Sequence, residues 1–136
     1  MYEEIFQKVE ELNLQNKVLF PGYIDDDDVA CLMSRAVAFC FPSLYEGFGM
    51  PVIEAMACGT PVLTSKSSSL KEIADGAAML VDETSVEEIK QGFLKLWKSK
   101  ELRIELAIKG AERAKDYSWE KAGDKLMEIY KDLLKE

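Results

Sequence analysis

The sequence predicts an α/β fold: a mostly parallel sheet of about four strands, helices on both faces and a helical C-terminus. Three observations carry this. Short apolar runs alternate with segments of helical periodicity. The longest run is apolar at every position, as a strand buried on both faces requires. The last fifty or so residues show helical spacing only.

Residues 3–13 read as a helix with Ile5, Phe6, Val9 and Leu12 on one face. Val18-Leu-Phe20 reads as a strand stopped by Pro21-Gly22. Asp25 to Asp28 cap and open the next helix, where acids suit the partial positive charge. Ala36 to Phe41 is the continuous apolar strand, followed by a loop and a helix from about Met50 to Cys58 that Gly59 ends. Pro61-Val-Leu-Thr64 is a strand, and Ser69-Leu-Lys-Glu72 has the capping-box pattern of a short helix. Ala77 to Val81 is a further strand. Ser85-Val-Glu-Glu88 is a second capping box, and Val86, Ile89, Phe93, Leu96 and Trp97 share the face of the helix it opens. A helix from about Glu101 to Lys115 follows. Ser118 caps the last helix, whose apolar face is Trp119, Ala122, Leu126, Ile129, Tyr130 and Leu133. Core packing is the default reading of Trp97 and Trp119.

At 136 residues the chain is long enough for one domain with a real core. It opens on a helix with no strand before it, so a single partial Rossmann-like domain over residues 1–136, entered partway through, is expected. Composition narrows the function. The net charge of −8 disfavours nucleic acid and anionic membrane. There is no histidine, which removes His general bases, Ser-His and Cys-His nucleophile pairs and His-ligated metal. Cys31, Cys40 and Cys58 are odd in number, lack a CxxC spacing and sit among apolar residues, so buried, reduced thiols in the cytoplasm are expected. No apolar run reaches membrane-span length, and the acidic N-terminus lacks the order of a signal peptide.

In open α/β sheets ligands sit beyond the carboxyl ends of the strands, which directs attention to Pro42-Ser-Leu-Tyr-Glu-Gly-Phe-Gly-Met-Pro51. Gly47 and Gly49 permit close backbone approach. Pro51 suits the start of a helix, whose free N–H groups meet phosphate without a basic side chain. Glu46 in the loop and Glu54 one turn into the helix are acceptors for sugar hydroxyls. The pattern suits a ligand with a central diphosphate and hydroxyl-bearing rings on either side. Glycines are also common in such turns, and Glu54 also favours the helix dipole; on spacing alone the two readings stand level. The Asp25–Asp28 run reads as a solvated helix start, with no metal site expected.

The stretch Phe41-Pro-Ser-Leu-Tyr-Glu-Gly-Phe-Gly-Met-Pro-Val-Ile-Glu-Ala-Met-Ala-Cys-Gly-Thr-Pro-Val62 resembles the signature of retaining GT-B glycosyltransferases of the large group 1 family, glycosyltransferase family 4. Glu46 and Glu54 match its Glu, seven residues, Glu hallmark. A Gly-Tyr-Ile segment at residues 22–24, Glu72 after a Ser-rich loop, and Tyr-Ser-Trp at residues 117–119 extend the likeness along essentially the whole chain.

The resemblance implies a hexosyltransferase that uses a UDP- or GDP-sugar donor, needs no metal cofactor and retains anomeric configuration without a protein nucleophile. Glu46, in the catalytic position, would bind hydroxyls of the transferred sugar. Gly47, Phe48, Gly49 and Met50 would hold sugar hydroxyls and diphosphate through their backbone. Glu54 would bind the ribose, and Tyr23 and Ile24 would lie near the base. The family's Arg and Lys, from the start of this domain, have no counterpart here, and Phe41 to Pro61 contains neither residue type. Arg35 and Lys66 are the nearest in sequence, Lys66 reading as a solvated loop residue. The N-terminal acceptor domain is likewise unmatched, so the chain alone is expected to be inactive and to bind donor weakly. The full enzyme would be cytoplasmic or peripheral at a membrane, making polysaccharide or glycolipid. A nucleotide-sugar epimerase, and an interaction module or half of a split enzyme that self-associates through an uncovered sheet edge, are the alternatives.

Overall fold

A computed structural model describes residues 2–135. The elements run α1 (Tyr2–Glu11), α2 (Asp26–Arg35), β1 (Phe39–Phe41), α3 (Met50–Ala57), β2 (Val62–Ser65), α4 (Ser68–Ala74), β3 (Met79–Val81), α5 (Val86–Lys98), α6 (Lys100–Ala114), a 3-10 turn (Lys115–Tyr117) and α7 (Trp119–Leu133). Among the described residues the sheet is three-stranded and parallel, in the order β1-β2-β3. Cys40 is paired with Leu63, and Leu63 with Met79.

The period of two in the strands separates two cores. Phe39, Phe41, Val62 and Leu80 face one side, with Val52, Ile53 and Met56 of α3 and Leu70, Ile73 and Ala74 of α4. Cys40, Leu63, Met79 and Val81 face the other, with Ile89 and Leu96 of α5 and Leu102 and Leu106 of α6. The α6 helix belongs to both, since Leu102 and Leu106 lie in the second core while Ala114 packs against the first. Its approach to α3 is close: a Cβ on Gly110 would stand 3.1 Å from Met56 Cγ. The sheet approach of α5 is closer still, 2.5 Å from a Cβ on Gly92 to Leu63 Cδ1.

The strand expected at residues 18–20 does not form. Strands exist by pairing, and this run is turned back on α1: Val18 N donates to Leu14 O, and the Phe20 ring lies 4.4 Å from that of Phe6. The sheet therefore has three strands rather than four. The strand expected from residue 36 is confined to Phe39–Phe41 and half-buried, because β1 is an edge. Trp97 and Trp119 are exposed rather than in the core, at 71% and 84%. Trp97 sits on the face of α5 beyond buried Leu96, whereas α7, which carries Trp119, has no buried residue. Cys31 is also exposed, on the outer side of α2, whereas Cys40 and Cys58 are half-buried.

Ser85 caps α5 by accepting from Glu88 N, and Ser118 caps α7 by accepting from Lys121 N, as their patterns predict. Ser69 does not cap α4. It lies inside the helix, which begins at Ser68, and its hydroxyl has another partner. Among the described residues no helix is long and apolar enough to cross a membrane.

Candidate functional site

The loop from Pro42 to Gly49 leaves the carboxyl end of β1, and three hydroxyls from the next strand and helix fix its backbone. Thr64 Oγ1 donates to Phe41 O at 2.8 Å, Ser65 Oγ to Ser43 O at 2.5 Å and Ser69 Oγ to Glu46 O at 2.8 Å. In a parallel sheet the ends of β1 and β2 lie side by side, so hydroxyls at the end of β2 reach carbonyls at and just past the end of β1. The run Thr64-Ser65-Lys66-Ser67-Ser68-Ser69 was the available signal for this support, obscured by the capping-box pattern at Ser69.

The turn into α3 is made at Gly49. Its φ is +101°, a conformation that penalises any side chain, and it is buried against α4. Gly47 differs: its φ is not in the left-handed region and open space surrounds its Cβ position. The expected backbone freedom is therefore required at Gly49 and not at Gly47. The amides of Gly47, Phe48 and Gly49 donate to no protein acceptor among the described residues. The first turn of α3 carries no acid to neutralise its partial positive charge.

Glu46 is half-buried and Glu54 exposed on α3. Neither carboxylate has a hydrogen-bond or ion-pair partner among the described residues, so both are free to accept from a ligand. Phe48 packs edge-on to Tyr117, ring centroids 5.9 Å apart. Phe48 and Met50 then line a cleft of about 280 Å³ with Tyr117, Ser118 and Trp119. The structure thus brings Glu46, Gly47, Phe48, Gly49, Met50 and Glu54 onto one loop-helix junction. Tyr23 and Ile24 lie in the segment before α2, Tyr23 exposed and Ile24 half-buried, and no hydrogen bond or ring contact ties them to that junction.

Lys66 points to acids instead. Its Nζ lies 3.2 Å from Asp82 Oδ2 and 3.4 Å from Glu88 Oε2, and the hydrogen bond to Asp82 raises its pKa. The hydroxyl and amide of Thr84, with Lys66, hold the Asp82 carboxyl down to about 2. Asp25–Asp28 forms an exposed helix start, and among the described residues no group of three or more acidic or cysteine side chains is placed to hold a metal.

Sequence reasoning missed Arg113. From α6 its guanidinium donates to Ile73 O and Glu72 O, the open carbonyls at the end of α4, at 3.0 and 2.9 Å. Its partners are backbone atoms about forty residues away, which no local pattern announces.

A family model described as "Glycosyl transferases group 1" matches residues 1–113. The chain is 34% identical over 127 residues to O-antigen chain mannosyltransferase B of Escherichia coli, covering 93% of this chain and 33% of that protein. It is 35% identical over 127 residues to an MMP alpha-(1->4)-mannosyltransferase of Mycolicibacterium hassiacum, covering 90% and 31%. The solved sucrose-phosphate synthase of Thermosynechococcus elongatus superposes with a TM-score of 0.89 at 30% identity, over 97% of this chain and 34% of that one. The chain thus spans about a third of the length of the curated relatives it matches.

Proposed function

The chain belongs to the group 1 glycosyl transferases, and from that membership we propose that it forms the donor-binding part of an enzyme moving a hexosyl group from a UDP- or GDP-sugar to an acceptor. One observation carries the reading: unclaimed amides at the N-terminus of α3 stand between two carboxylates without protein partners.

In this reading the diphosphate lies over Gly47 to Met50, where amides and helix charge meet it and no metal is called for. Glu46 accepts from hydroxyls of the transferred hexose and Glu54 from the ribose, with Tyr23 and Ile24 toward the base. As the resemblance to the retaining enzymes implies, the anomeric carbon keeps its configuration without a protein nucleophile. Departure of the diphosphate needs its growing charge stabilised, and Phe41 to Pro61 supplies no cation. The chain alone is therefore inactive and binds donor weakly, the cations and the acceptor site coming from further sequence. Two relatives are named mannosyltransferases, which supports trying a mannosyl donor first. A cytoplasmic setting belongs to the same proposal.

The test is a titration of UDP, GDP, GDP-mannose and UDP-glucose followed through backbone amide resonances. Shifts centred on Gly47 to Met50 are expected, with nucleotide affinity falling about tenfold in Glu54→Ala, the loss of one charge-assisted hydrogen bond. Unchanged affinity in Glu54→Ala removes the ribose assignment. A second reading, an interaction module or half of a split enzyme, draws on the open edge of β1 and the exposed face of α7. It predicts association of the chain and no nucleotide-dependent shifts.

A further inference from the structure

One guanidinium touches both elements that hold the glycine turn. Four of the five N–H donors of Arg113 are used. Nε donates to Ile73 O, Nη2 to Glu72 O and to Tyr117 Oη at 2.9 Å, and Nη1 to Asp116 Oδ2 at 3.1 Å. The guanidinium carbon also sits 5.1 Å from the centre of the Tyr117 ring.

From there two short routes lead to the turn. Along α4, Ser69 holds the Glu46 carbonyl and Leu70 fills the space beside Gly49. Through the 3-10 turn, Tyr117 packs on Phe48, the residue between the two glycines. The last-turn carbonyls of a helix need partners. Ala74 O is met by the amides of Ala77 and Ala78, which leaves Glu72 O and Ile73 O to Arg113. A cation there also favours the helix dipole. The base of Arg113 is firm, because Gly110, one turn earlier on α6, lies close against Met56 of α3. A surface arginine holding only Asp116 would contribute little. This one spans α4 and the 3-10 turn with a rigid planar fork that lysine cannot copy.

We propose that Arg113 is a positioning residue for the turn at Glu46 to Met50, acting through α4 and through the Tyr117–Phe48 contact. The functional part of this rests on the donor-site reading of that turn; the mechanical part does not. Removing the fork lets α4 and Phe48 shift independently, so the amides lose their common aim.

The test compares wild type, Arg113→Lys and Tyr117→Phe by amide resonances, first without ligand and then with UDP and GDP. Arg113→Lys keeps the charge and loses the fork. The expected result is displaced resonances of Phe48, Gly49, Ser69 and Leu70 in the ligand-free protein, and nucleotide affinity lowered about tenfold. Tyr117→Phe removes only the phenol that Nη2 donates to and is expected to displace Phe48 and Gly49 alone; it carries the test if Arg113→Lys fails to fold. Ligand-free resonances of Phe48 and Gly49 that stay in place in a folded variant overturn the proposal, even if the melting temperature falls. Wild type that binds neither nucleotide sinks the donor-site reading instead, and the ligand-free spectra still decide the mechanical claim.

Discussion

Leu70 occupies the space that a side chain at residue 49 would need: its Cδ2 lies 2.5 Å from where a Cβ on Gly49 would stand. Leu70 is fully buried and has little room to yield. Together with the positive φ, this makes Gly49 a fixed point of the junction. Gly49→Ala is expected to destabilise the fold by about 2–4 kcal/mol, combining left-handed strain and overpacking. Gly47→Ala, in open space, should stay within about 0.5 kcal/mol of wild type. Urea unfolding of the pair decides it, and equal midpoints would refute the distinction.

Ser69→Ala removes the only side-chain hydroxyl that, among the described residues, holds the Glu46 carbonyl. A cost of about 1 kcal/mol in stability is expected, the usual net value of such a bond. Backbone order parameters should fall in the loop from Ser43 to Gly49 and not in β2. Order parameters that change uniformly along the chain would count against hydroxyl support of the loop.

The ion cluster after β2 makes a pH prediction. The folded pKa of Asp82 is depressed to about 2, below the ordinary carboxyl value. Its stabilising contribution is therefore present above the unfolded pKa and is lost as pH falls through about 2. Lys66 has the opposite sign: its pKa is raised, so its contribution is complete below the unfolded value and fades as pH rises through the folded one. Thr84 supplies the largest part of the Asp82 shift, so Thr84→Ala should move the Asp82 titration upward in carboxyl NMR. An unmoved titration would assign the shift to the backbone amide of residue 84 and to Lys66.

Thiol reactivity should follow burial. Desolvation pushes the Cys40 thiol up to about 11, leaving almost no thiolate near neutral pH, while Cys31 lies exposed. Iodoacetamide is expected to label Cys31 well before Cys40 in the folded protein. Labelling of both at one rate would mean that β1 opens readily.

The helices and the glycine turn into α3 were legible in the sequence because their signals are local. Ser85 and Ser118 announce their caps within three residues, and the Glu46–Glu54 spacing spans a single turn. Three of the failures share one cause, a partner far along the chain. Val18-Leu-Phe20 has strand composition, but pairing needs a neighbour, and Phe20 meets Phe6. Ser69 has capping composition, but its acceptor lies 23 residues upstream. Nothing near Arg113 indicates the carbonyls of Glu72 and Ile73. Gly47 and Gly49 look alike in sequence and differ in backbone conformation and in what surrounds them.

Because α6 contributes side chains to both cores, neither side of the sheet can loosen without disturbing the same helix. The two cores should melt as one cooperative unit despite a sheet of only three short strands. The α7 helix has no buried residue, so its opening exposes little new apolar surface and should occur far more often than global unfolding. The molecule thus has a hierarchy of openings, with the junction around Gly49 inside the slowest of them.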